Sequence, residues 1–106
     1  QRIHFDFDKF DLTGNAVRIL AENARVLKAY PDVDIIIEGH CDERGTVEYN
    51  LALGDKRARA ARDYLVSLGI SPSRISVISY GKERPLDYGH NENAWYQNRR
   101  AEFVRR

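Results

Sequence analysis

Residues 38–46, Glu38-Gly39-His40-Cys41-Asp42-Glu43-Arg44-Gly45-Thr46, place six ionisable or ligand-coordinating side chains within nine positions. An apolar run (Val33, Ile35, Ile36, Ile37) precedes them and a long helical pattern follows. In an α/β chain that is the carboxyl end of a strand, where ligand sites tend to form. Asp42 lies just before the helix, beside amides that favour negative charge. Its counterpart is Arg57. The inward stripe of the following helix reads Tyr49, Leu53, Arg57, Ala60 or Ala61, Tyr64 and Leu68, and a guanidinium there is costly unless a carboxylate or ligand meets it. An aspartate and an arginine in one groove suit a zwitterion, the carboxylate taking an ammonium and the guanidinium a carboxylate. The plainer alternatives are a solvated turn and an internal Arg57–Asp42 pair. Asp8 lines the same edge if the first two strands run parallel, with Phe7 and Phe10 as groove walls.

Other chemistries are weaker. His4, Asp6, His40, Cys41 and Asp42 are ligand types, but alternation turns Cys41 away from its neighbours and no HExxH or CxxC spacing occurs. No metal site and no cofactor are expected. The nucleophile elbow and phosphate loop patterns are absent. Cys41, facing helices from a strand, reads as an inert core thiol.

The elements that position these residues follow from periodicity. Residues 2–8 alternate as a strand, with Ile3, Phe5 and Phe7 on one face. After a turn at 9–12, with Asp11 or Thr13 as cap, Val17, Leu20, Ala21, Ala24 and Leu27 mark a helix to Ala29, stopped at Tyr30-Pro31. Residues 33–40 form a second strand with one apolar and one largely polar face. Thr46 caps a second helix over Val47–Leu68, and Gly69 ends it. Arg74–Tyr80 is a third strand, 81–91 a loop, Asn93–Asn98 a short helix anchored by Trp95, and Arg100–Arg105 a last strand. The order β-α-β-α-β-(α)-β predicts an α+β fold: a two-layer α/β sandwich with a mixed four-stranded sheet and helices on one face.

Bulk composition narrows the function. The 106 residues make one domain, 1–106, with 42% hydrophobic and 31% charged residues and a net charge of +1, so no global field calls for nucleic acid. Arg99, Arg100, Arg105 and Arg106 cluster near the end; they read as a solvated strand or tail, without the aromatic stacking surface of a nucleic-acid groove. One cysteine excludes an intrachain disulfide. No run is long and apolar enough for a membrane helix. The chain opens on a strand-like pattern, so any export signal or lipid attachment site is expected outside it.

Several stretches match a known pattern in order: Phe5-Asp6-Phe7-Asp8-Lys9, Glu38 to Thr46, Glu48-Tyr49-Asn50, Leu53-Gly54, Arg57-Ala58, Ser79-Tyr80-Gly81-Lys82-Glu83 and Asn98-Arg99-Arg100. Together they resemble the OmpA-like peptidoglycan-binding domain over essentially the whole chain. The Asp-Glu-Arg-Gly-Thr form points to the lipoprotein branch, not the porin or flagellar stator branches; Cys41 departs from the small residue usual there. The resemblance implies an OmpA C-terminal-like fold and non-enzymatic, non-covalent binding of peptidoglycan stem peptides containing meso-diaminopimelate. Asp42 and Arg57 would grip the amino-acid end of that residue, Phe7 and Asp8 would line the groove, and Asn50 would order it. Asn98, Arg99 and Arg100 would be structural. Lys9, Glu43, Arg44 and Thr46 are candidates for the groove rim and for a surface that meets TolB. The resemblance further implies a lipid anchor, a place on the periplasmic face of the outer membrane, and a role with the Tol system in envelope integrity and cell division. Loss of Asp42 or Arg57 is expected to abolish wall binding and spare the fold. The rivals are a Tol-interaction domain without wall contact and a metal-dependent wall hydrolase.

Overall fold

The computed structural model describes residues 2–106. Its elements are β1 (Ile3–His4), α1 (Gly14–Ala29), β2 (Ile35–His40), α2 (Val47–Ser67), β3 (Ile75–Gly81), α3 (Glu92–Asn98) and β4 (Arg100–Arg105), with a 3-10 turn at Pro72–Arg74. The sheet order is β1-β4-β2-β3. β2 and β3 pair in parallel through the α2 crossover, and β4 lies antiparallel between β1 and β2. β1 therefore points the same way as β2, as the sequence requires for Asp8 to share the Asp42 edge.

Local chemistry sets the helix starts. Thr13, Thr46 and Asn91 each accept a hydrogen bond from a backbone N–H three residues on, satisfying one of the open donors of a first turn. Leu20, Ala24 and Leu27 of α1 and Ala58, Ala61 and Leu65 of α2 pack on Ile3, Phe5, Ile35, Ile37 and Ala101. α2 lies unusually close to the sheet. A methyl group at Gly39 of β2 would overlap the Gly54 carbonyl, 2.5 Å from its carbon. Two facing glycines thus set the spacing between β2, which leads into Asp42, and α2, which carries Arg57.

Four expectations need correction. The first strand is two residues long, not seven: β4 pairs only Ile3 and His4, Phe5 N–H still donates to the Arg99 carbonyl at 3.0 Å, and the chain then leaves the sheet. Asp8 adopts φ 56, a left-handed conformation that Asp enters more readily than most residues, and Phe7 is 54% exposed instead of core. The phase of α2 is rotated. Its buried face runs Asn50, Leu53, Gly54, Arg57, Ala58, Ala61 and Leu65, while Tyr49 is 51% exposed, because an asparagine and a glycine can face inward without an apolar signature. Arg99 and Arg100 are buried, not solvated; Arg100 reaches Glu102 at 2.5 Å and the Arg84 carbonyl at 3.1 Å. Ala94, not Trp95, is the buried residue at the centre of α3.

The polar sheet face holds His40 buried against Tyr80, with Nε2 3.2 Å from Glu38. Burial, then the Arg100 charge, lower its pKa against the opposing pull of Glu38 and Glu102. The unfolded chain takes up a proton near the ordinary value of 6.5 while the folded protein still holds His40 neutral. Stability therefore falls as pH drops below that value. His4 shifts in the same direction. In thermal melts at pH ~7.5 and ~5.5, either side of the ordinary histidine value, His40→Gln is expected to lose less stability on acidification than the parent. Identical losses in both proteins would refute the assignment.

Candidate functional site

Three segments meet at the carboxyl end of β2: the chain after β1, the 41–46 turn and the first three turns of α2. Between them lies a cavity of about 190 Å³ lined by Phe7, Asp8, Cys41, Asp42, Arg44, Gly45, Tyr49, Asn50, Leu53 and Arg57. All five residues expected to form the groove (Phe7, Asp8, Asp42, Asn50, Arg57) lie on this cavity. The rim candidates separate. Arg44 lines it, Thr46 caps α2, Lys9 contributes its carbonyl, and Glu43 turns outward to His90 Nδ1 at 2.7 Å and Trp95 Nε1 at 2.8 Å. Phe10 stands apart under Lys56.

Arg57 is 1% exposed. Its Nε donates to the Lys9 carbonyl (2.8 Å), Nη1 to His40 (3.0 Å) and Nη2 to Asp6 (3.0 Å), and the guanidinium lies 5.2 Å from the Phe5 ring centre. No carboxylate comes within ion-pair distance of it among the described residues. The internal Arg57–Asp42 pair is not formed. Burial opposes the charge and lowers the Arg57 pKa, with Cys41 and Asp42 working against that effect. Three N–H groups of the fork donate to backbone carbonyls. The same three bonds tie the 6–9 segment to β2, so Arg57 also holds the fold, which revises the expectation that its loss would spare the structure.

Asp42 is 4% exposed. Oδ1 accepts from the Arg44 backbone N–H at 3.0 Å and Nε at 3.3 Å, and Oδ2 from Arg44 Nη2 at 2.8 Å and Arg99 Nη1 at 3.5 Å. Burial alone would raise this carboxyl; the hydrogen bonds and charge of Arg44, with Arg99, outweigh burial and hold it below the usual carboxylate range. Arg99 also donates to the Phe5 carbonyl (2.8 Å) and to Glu92 Oε2 (2.8 Å). It binds the first segment, the turn and α3 together.

Asn50 shapes the turn: its amide donates to the carbonyls of Arg44 (2.7 Å) and Thr46 (3.0 Å), while Gly45 takes φ 95, open to glycine at little steric cost. The Tyr49 hydroxyl donates to Asp8 across the mouth. The Cys41 thiol donates to the Asn50 carbonyl at 3.3 Å, and burial pushes its pKa up to about 11, which leaves it a poor nucleophile near neutral pH. Among the described residues, no three His, Cys, Asp or Glu side chains gather as metal ligands. Sequence reasoning missed Tyr49, Trp95 and Arg99 as members of the site. Each acts through a partner at least 40 positions away, so no local spacing could reveal it.

Residues 4–100 match the OmpA family. The chain belongs to that family. This OmpA-family domain is 50% identical over 100 residues to the peptidoglycan-associated lipoprotein of Pseudomonas aeruginosa, covering 94% of this chain and 59% of that protein. Against the protein of the same name from Mesorhizobium japonicum the identity is 53% over 100 residues, covering 94% and 60%. The chain thus spans about three-fifths of the length of these curated relatives. The crystal structure of the peptidoglycan-associated lipoprotein from Burkholderia pseudomallei superposes with a TM-score of 0.96 at 45% identity, over 99% of this chain and 89% of that one. The C-terminal domain of Helicobacter pylori MotB superposes with a TM-score of 0.92 at 19% identity, over 100% and 84%, a likeness of fold alone. The α+β architecture is common to these OmpA-like domains.

Proposed function

We propose that this domain binds peptidoglycan non-covalently, without catalysing a reaction, by gripping the amino-acid end of meso-diaminopimelate in a stem peptide. One observation carries the reading: a buried Arg57 guanidinium, bonded to three backbone carbonyls and to no carboxylate among the described residues, shares a small cavity with the Asp42 carboxylate. The pair offers complementary charges to a zwitterion. The cavity is smaller than the ~300–1,000 Å³ of pockets for drug-sized ligands, which favours the end of a side chain over a disaccharide. Asp8 and Phe7 form one wall, and Asn50 holds the turn in shape.

The names of the relatives support a setting at the envelope: the domain is held at the periplasmic face of the outer membrane by a lipid anchor elsewhere in the protein and ties that membrane to the wall. In this setting it would act with TolB and other Tol proteins in envelope integrity and division, offering the rim that includes Lys9, Glu43, Arg44 and Thr46.

Asp42→Asn tests the grip, since the amide keeps the size of the side chain and an acceptor for the Arg44 N–H. Loss of a charge-assisted contact worth about 1.5–3 kcal/mol should weaken co-sedimentation with diaminopimelate-type peptidoglycan by more than about tenfold. Because the Asp42 pKa is depressed, the parent should keep binding until pH falls below the ordinary carboxylate value of about 3.9. Undiminished binding by Asp42→Asn would refute the site. Binding of TolB with no binding of diaminopimelate peptides would favour the Tol-only rival, and release of muropeptides by metal-loaded protein would favour a hydrolase.

A further inference from the structure

The Asp42 carboxylate is fully engaged by two arginines. Its four contacts, three from Arg44 and one from Arg99, fill the roughly four acceptor positions of a carboxylate. The two arginines are held very differently. The Arg99 side chain is 5% exposed and locked to the Phe5 carbonyl and Glu92 as well. The Arg44 side chain is 33% exposed. Apart from Asp42, its guanidinium rests on two ring faces, with its carbon 3.8 Å from the centre of Phe7 and 4.1 Å from that of Trp95. A carboxylate and neighbouring aromatic faces are what an organic ammonium seeks.

We propose that Arg44 is a built-in competitor for this site: its guanidinium occupies the ammonium position at Asp42 in the free domain and swings out when the ligand's ammonium enters. The inference rests on the diaminopimelate reading above. The exchange needs no movement of the turn, because the Arg44 backbone still donates to Asp42 and its carbonyl still accepts from Asn50. The exposed carboxylate of Glu92, which already feels the Arg44 charge, offers the displaced side chain a new partner. Only the fraction of molecules with Arg44 out binds directly, so the plug weakens apparent affinity by that fraction.

Calorimetric titration of free meso-diaminopimelate into the parent domain, Arg44→Gln and Arg44→Lys tests the exchange. Arg44→Gln should bind about tenfold more tightly than the parent, with Arg44→Lys between them, as lysine keeps a charge but not the planar fork. Trp95 is the sole tryptophan and supplies a second readout. Emission of the parent should change on saturation, and free Arg44→Gln should already emit like the saturated parent. Circular dichroism establishes that each variant is folded. Weaker or unchanged binding by folded Arg44→Gln overturns the competitor role and leaves the functional reading standing if the parent binds. Binding by Arg44→Gln alone supports the plug in its strongest form. Failure of all three proteins to bind overturns both.

Discussion

Arg57→Ala is expected to abolish retention on diaminopimelate-type peptidoglycan and to lower unfolding free energy by at least ~2 kcal/mol. The stability loss follows from the carbonyl oxygens of Lys9 and His40 losing the Arg57 donor together, at about 1–3 kcal/mol for each left unsatisfied, while the Asp6 oxygen keeps the Lys9 N–H at 3.2 Å. A domain with a total of ~5–15 kcal/mol survives that loss in the cold, where binding should be measured. Arg57→Lys separates the two roles. It restores the charge and at least one of the carbonyl bonds but cannot span all three in a fork. It should be the more stable of the two variants, and its binding should still fall at least about tenfold, the equivalent of ~1.4 kcal/mol. Chemical denaturation and wall sedimentation on the same samples check both halves. Full binding by Arg57→Lys would mean that a point charge suffices.

Gly39→Ala should be among the most damaging small substitutions in the chain, costing at or above the upper end of the ~1–3 kcal/mol usual for overpacking. The added methyl meets the Gly54 backbone, which has no side-chain rotation with which to yield. α2 must lift from β2, and because β2 leads into Asp42 while α2 carries Arg57, the cavity should widen and binding weaken in step. Gly54→Ala should cost less, since its nearest obstacle is the rotatable Ser79 hydroxyl. Gly14→Ala, with nothing within 4 Å of the new atom, should be near neutral. Urea melts rank the three, and a Gly39→Ala protein within ~0.5 kcal/mol of the parent, the range of an inert surface change, would disprove the contact.

The frame of the fold was readable because it rests on local physics. Threonines at 13 and 46 sit where helix starts need an acceptor, and Ile35 and Ile37 alternate as a half-buried strand must. Asp42 and Arg57 were legible for the same reason: each is a charge at a position that local pattern marks as inward or at a strand end. Tertiary pairing defeated the rest. Alternation through Phe7 looked like strand, but β4 pairs two residues of it and the Arg57 fork holds the following segment away. Phasing α2 from Tyr49 rotated its buried face, since Asn50 satisfies its polar group on the turn carbonyls in a way hydropathy cannot register. Arg99 looked like surface because the carboxylates that permit its burial, Asp42 and Glu92, come from other elements.

The position of β4 has a consequence for the order in which the molecule is assembled. The last of the described strands in sequence is an interior strand of the sheet, between β1 and β2, and Arg99 at its threshold donates to Asp42. A nascent chain that has released α1, β2, α2 and β3 therefore holds a βαβ unit with one long sheet edge open and Asp42 still without its Arg99 partner. Sheet closure waits on pairing between residues nearly a hundred positions apart, such as Ile3 with Ala101, and contacts of such sequence separation form slowly. Until then the β2 edge is an unpaired template for another chain. The Arg99–Asp42 contact and protection from aggregation arrive in the same late step.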